Sequence, residues 1–269
     1  EADQLDVLKA AQIVYEEGIA TPILLGRKET IESLMEEIEF DADIAIVDPK
    51  TEEENHRKDR YAKVYWEQRK RRGVTFYSAQ RLMRERNYFA AMMVNEGDAD
   101  ALVTGYSRSY PTVVRPMLEL IGMAEGVSRV ATTNVMMTQR GPMFLSDTSI
   151  NIDPSAKDLA RIARMTSSIT KMFGIEPVTA MVSYSNFGSS ENPRSEKVKQ
   201  AVALLHKAYP DMVVDGEVQT DFALNSKMLQ DIFPFSKLAG RKVNSLVFPN
   251  LDAANITYKL LKELNKSES

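Results

Sequence analysis

The sequence predicts an α/β protein built on a mostly parallel sheet with helices on both faces. Two observations carry that reading. Amphipathic helices and short apolar strands alternate from the first residues onward. Several of the strands then run directly into polar, small-residue loops, the place where open α/β sheets hold ligands.

The elements follow in order. Residues 5–17 carry apolar side chains at Leu5, Leu8, Ala11, Ile13 and Val14 with charges between them, and Gly18 closes this helix. Residues 22–25 form a strand stopped by Gly26. A helix over 29–39 and a strand over 44–47 follow, the latter ended by Asp48-Pro49. Residues 51–72 begin acidic and end in Arg69, Lys70, Arg71 and Arg72. That gradient suits the dipole of a helix closed by Gly73. A basic helix terminus is ordinarily solvated; the functional alternative is one arginine turned toward a phosphate.

Residues 78–96 read as one helix and 99–103 as a strand, with the next helix opened by Pro111 and Thr112 and carrying Arg115. Paired strands over 130–137 and 141–145 precede a long helix over 156–173. The stretch from Val178 to Ser190 is central: an apolar strand passes through Ser185, Asn186 and Phe187 into Gly188, Ser189 and Ser190. Glycine lets backbone approach a ligand, and the serines offer hydroxyls and open N–H groups. A helix over 195–208, strands over 212–214 and 245–248, and a helix to Glu263 complete the chain.

Composition narrows the function. The 269 residues carry a net charge of −4, which gives no basic field for nucleic acid. There is no apolar run of bilayer-spanning length and no cleavable leader, so no membrane partner is expected and the cytoplasm fits. Zero cysteines exclude disulfides and thiolate chemistry. His56 and His206 lie in charged, helix-like surroundings without the companions of a metal site or a triad. The chain opens at Glu1 inside an element and ends at Ser269 just past a helix, so a piece of a longer polypeptide is expected.

Loops 104–110, 183–190, 215–221 and 249–255 each pair small residues with amides, hydroxyls or carboxylates. They offer Ser107, Ser185, Asn186, Gly188, Ser189, Gln219, Asp221 and Asn255 to a common polar cleft. Such a donor set suits a phosphate-bearing anion better than proton transfer poised near neutrality.

Several longer stretches resemble the phosphate acetyltransferase (phosphotransacetylase) superfamily. They are residues 97–105, Val114-Arg115-Pro116 with 120–122, 144–147, 180–189, 215–219 with Asp221, and 248–251 with Asn255, Ile256, Tyr258 and Lys259. The resemblance implies two three-layer α/β domains with a cleft between them, an architecture shared with isocitrate dehydrogenase. Residues 1–130 and 261–269 would form the first domain, incomplete at both ends, and 131–260 the second. It also places Arg69 and Arg115 on the family's two phosphate- and CoA-binding arginines, and a Ser-Arg catalytic motif beyond Ser269.

Within the superfamily, residues 65–75, 105–110 and 185–190 look most like the C-terminal domain of bacterial NADP-dependent malic enzymes. Active transferases typically have a Gly-Ala-x-His-Ser-Thr-like loop where this chain has Gly105 to Tyr110, and smaller residues where it has Asn186 and Phe187. The resemblance therefore implies a non-catalytic regulatory domain that binds acetyl-CoA or a related CoA ester. It would hold no cofactor or metal of its own, dimerise, and act on an N-terminal malic enzyme domain that carries NADP and a divalent metal. A working phosphate acetyltransferase is the alternative, and a purely structural domain a third reading.

Overall fold

The computed structural model describes residues 1–125 and 127–265, and the chain divides into two compact units, Glu1–Gly126 and Val127–Ser269. The fold is mixed α/β.

The first unit starts with α1 (Leu5–Glu16), β1 (Leu24–Leu25), α2 (Lys28–Glu37) and β2 (Ile46–Val47). The two strands pair in parallel, and Leu8, Leu24, Ile31 and Phe40 form a small core beside them. Helix α3 (Asn55–Arg69) continues as one 3-10 turn over Lys70–Arg72. It stops at Gly73, whose φ of +84° only glycine adopts without strain.

Next come α4 (Phe76–Leu82), capped reciprocally by Thr75 and Ser78, then α5 (Arg86–Asn95) and α6 (Tyr110–Leu120). Tyr61, Tyr65, Met83, Phe89 and Met92 build a larger core between these helices.

The single helix expected over 78–96 is therefore two. Their boundary falls at residues 83–85, where the chain turns and Phe89 N–H picks up the Glu85 carbonyl. The strand expected over 99–103 is extended chain instead. Leu102 does pack inward, but Val103 is 96% exposed, and no ladder partner flanks it among the described residues. A short apolar stretch does not make a strand without a neighbour to receive its hydrogen bonds.

The second unit holds a five-stranded sheet in the order β3-β4-β7-β5-β6. Its strands are β3 (Thr133–Thr138), β4 (Gly141–Ser146), β5 (Thr179–Val182), β6 (Val214–Val218) and β7 (Ser245–Val247). β3 and β4 form an antiparallel hairpin; β4, β7, β5 and β6 pair in parallel. Helices α7 (Ala156–Met172) and α8 (Pro193–Ala208) cover one face, meeting Met181, Val214 and Val247. Helices α9 (Thr220–Leu224), α10 (Ser226–Ile232) and α11 (Leu251–Asn265) cover the other, meeting Ala180, Val182, Val218 and Leu246. Consecutive strand residues thus serve opposite faces, as a pleat buried on both sides requires.

Two of the expected polar loops are partly regular structure. Residues 215–218, expected in a loop, belong to β6, and residues 251–255 open α11. The compact units meet at Gly126 and Val127, and Leu261 packs against the second unit's core, whereas the sequence reading gave 261–269 to the first domain. Residues 266–269 lie outside the described residues.

Candidate functional site

In the first unit, α6 places Arg115 and Glu119 one turn apart, and the end of α3 brings Arg69 to the same carboxylate. Arg115 Nε donates to Glu119 Oε1 at 2.8 Å, and Arg69 Nη2 stands 3.6 Å from that oxygen. The other oxygen, Oε2, accepts from the hydroxyls of Tyr65 at 2.9 Å and Tyr88 at 2.8 Å. The Arg69 side chain is 18% exposed and that of Arg115 73%. Arg69 Nε is buried with no partner among the described residues. Lys70, Arg71 and Arg72 are exposed, as a solvated helix end would be.

Burial pushes the Glu119 carboxyl up, but the bonds from Arg115, Tyr88 and Tyr65 together hold it below the usual carboxylate range. Burial and that carboxylate push both phenols above theirs. These groups are all moved away from neutrality, so they suit holding charge rather than passing protons at neutral pH.

The loop after residue 104 has a different occupant. Glu1 Oε2 accepts from Gly105 N and Tyr106 N, both at 2.8 Å, and Glu1 Oε1 accepts from Ser107 N at 3.1 Å and Ser107 Oγ at 3.0 Å. Gly105 has a φ of +110°, which lets the successive N–H groups converge as an anion nest. Burial raises the Glu1 carboxyl, yet these donors outweigh it and bring its pKa to about 2. Ser107, expected to face a ligand, is engaged by the chain's own carboxylate.

In the second unit, buried Glu217 of β6 organises loop 183–190. Its Oε1 accepts from Ser185 Oγ at 3.1 Å and Gly188 N at 2.6 Å. Ser189 Oγ receives Asn186 N at 2.9 Å, and Asn186 Oδ1 receives Gln219 N at 2.7 Å. Gln219 Nε2 donates to the Tyr184 carbonyl at 2.6 Å. The fold thus brings Ser185, Asn186, Gly188, Ser189 and Gln219 together, with their polar atoms directed largely at one another. Asp221 is exposed in the first turn of α9, and Asn255 Nδ2 donates to the Thr148 carbonyl at 3.1 Å.

Beside that loop lies a cavity of about 660 Å³ at the carboxyl ends of β5 and β7, lined by Ser183, Tyr184, Arg194, Lys197, Asn250 and Thr257 among others. Arg194 and Lys197, three apart on α8, are the cations the sequence reading passed over. The i, i+3 spacing beside a strand-end loop was the available signal. Among the described residues no cluster of His, Cys, Asp or Glu could hold a metal ion. No helix among them is long and apolar enough to cross a membrane.

Fold and site define an α/β protein whose polar loops and paired arginines are gathered around carboxylates of the chain itself, Glu1, Glu119 and Glu217. More particularly, the chain belongs to the family described as phosphate acetyl/butaryl transferase, which it matches over residues 1–269.

It is 37% identical to the NADP-dependent malic enzyme of Escherichia coli over 271 residues. That match covers 97% of this chain and 35% of the enzyme. It is 35% identical to the phosphate acetyltransferase of Thermoanaerobacterium thermosaccharolyticum, covering 97% of this chain and 80% of that protein. Among solved structures, the EutD phosphotransacetylase from Staphylococcus aureus superposes with a TM-score of 0.84 at 32% identity, covering 99% of this chain and 81% of that one. The chain spans 35% to 38% of the length of several of its curated relatives, the malic enzymes among them.

Proposed function

We propose that this chain is a phosphotransacetylase-like regulatory domain that binds acetyl-CoA, and that it acts within an NADP-dependent malic enzyme as the sensor controlling malate decarboxylation. The carrying observation is the arginine pair at Glu119. Two guanidiniums are gathered for an anion, while the carboxyl and phenol groups beside them are tuned away from proton transfer. Guanidinium forks bind the oxygens of a phosphate chain with paired, charge-assisted hydrogen bonds. The engaged state of Ser107 and of loop 183–190 points the same way, since little is left free there to activate a nucleophile. Self-association through exposed apolar side chains such as Ile256, Leu260 and Leu264 belongs to this reading; sedimentation at micromolar concentration would give a dimer.

Calorimetry with acetyl-CoA tests the central claim. Micromolar affinity, about −8 kcal/mol, is expected. Absence of heat at millimolar ligand overturns it. Turnover of acetyl phosphate with CoA at enzymatic rates would instead favour the second reading, a working phosphate acetyltransferase, which the 35% identity to such an enzyme keeps in play.

A further inference from the structure

We propose that Glu119 is a built-in counter-anion that sets which charge class of phosphate the Arg69–Arg115 pair accepts. It favours a phosphate bearing one negative charge, as in a phosphodiester, over a dianionic phosphate. The inference rests on the reading of the two arginines as phosphate ligands.

The geometry puts a carboxylate where a phosphate oxygen would otherwise sit. Glu119 Oε1 is the shared acceptor for Arg115 Nε at 2.8 Å and Arg69 Nη2 at 3.6 Å. The hydroxyls of Tyr65 and Tyr88 fix its second oxygen. The carboxylate is therefore pinned from two helices besides its own and stays beside the arginines when a ligand arrives. With its pKa held, against burial, below the usual carboxylate range by the bonds from Arg115, Tyr88 and Tyr65, Glu119 is an anion throughout the neutral region.

Two guanidiniums and one carboxylate leave a single positive charge. A monoanion balances it. A dianion doubles both its attraction to the arginines and its repulsion from Glu119, while its desolvation cost rises about as the square of its charge, so with the net field cut to a single charge the dianion no longer recovers that cost. The pair nevertheless has accessible capacity, because the Arg115 side chain is 73% exposed.

The charge rule separates this idea from a merely structural role for Glu119. Removing the carboxylate's charge while keeping its shape, as in Glu119→Gln, should tighten both ligand classes. The gain for a dianion should be about the square of the gain for a monoanion: roughly tenfold against roughly threefold, at the strength of a partly solvated charge pair.

The experiment titrates the protein with inorganic phosphate at pH 8, mostly dianionic, and with dimethyl phosphate, monoanionic at any pH used. Binding is followed through the Arg side-chain NMR signals. Wild type should prefer dimethyl phosphate, and Glu119→Gln should shift the preference toward inorganic phosphate. Tyr88→Phe removes one bond to Glu119 without changing its charge, and Glu119→Asp restores the charge; both should keep wild-type selectivity.

Equal weakening of both anions by Glu119→Gln overturns the proposal, as does the same selectivity shift in Tyr88→Phe. If Arg69→Ala and Arg115→Ala leave binding of both anions intact, the reading of the arginine pair itself fails. If those variants lose acetyl-CoA binding while Glu119→Gln leaves the preference unmoved, only the role given to Glu119 fails.

Discussion

Arg69 and Arg115, on different helices, meet at one oxygen: Glu119 Oε1 lies 3.6 Å from the first and 2.8 Å from the second. Replacing either by Ala should weaken acetyl-CoA binding by roughly tenfold to a hundredfold, the scale of a hydrogen bond to a charged group. Lysine should recover only part, because a point charge does not reproduce the fork. Exposed Arg71 is the control: calorimetry on Arg71→Ala should match wild type, and an equal loss there would mean a diffuse basic patch.

Asp147 predicts how the second unit responds to acid. Its carboxylate accepts from Thr132 N, Ser149 N, Ile150 N and Asn151 N, and from the Thr132 and Asn151 side chains. Burial raises its pKa, but these bonds outweigh burial and leave it below the ordinary 3.8. A depressed folded value means the stabilisation is present in full well above the ordinary value. It is lost as pH falls through the lowered one. Asp147→Asn should cost about 1–3 kcal/mol in urea unfolding at pH 7. The gap to wild type should close in strong acid.

Glu1 orders the loop that carries Ser107. Glu1→Ala should accelerate proton exchange at the amides of Gly105, Tyr106 and Ser107 by about tenfold, the worth of one charge-assisted bond. Amides of α5, in the same unit, should not change. In wild type the protection should persist down to pH values near the pKa of about 2.

Leu246 sits in the middle of β7, 2% exposed, against the core under α9–α11. Leu246→Ala should cost about 2–5 kcal/mol in chemical denaturation, because a central strand in a closely packed sheet relaxes little around a void.

Much of the fold was legible because periodicity and end signals agreed. Residues 156–172 show an amphipathic face between a Ser155–Asp158 cap and Gly174, and they form a helix. Gly73 marked the end of α3 for the same reason. Residues 99–103 misled because a short apolar stretch says nothing about whether a partner strand is present.

The sequence marked the polar loops and the two arginines, but not the partners that hold them. Nothing local ties Glu119 to Tyr65 and Tyr88, or Glu1 to Ser107; those pairs exist only once helices pack. Arg194 and Lys197 were hidden by their resemblance to an ordinary solvated helix face.

Glu217 has a bearing on binding kinetics. Ser183 N and Phe187 N reach β6 carbonyls at 3.0 and 2.8 Å, and Gly188 N reaches the Glu217 carboxylate, so loop 183–190 is stitched to a strand buried along its whole length. Mobile lids are drawn from weakly anchored segments, and this loop is the opposite. It forms a fixed rim beside the cavity, so a ligand entering there waits for no closing step at that loop. Association at that rim should follow a single phase whose rate rises linearly with ligand concentration, without the plateau that a gate imposes.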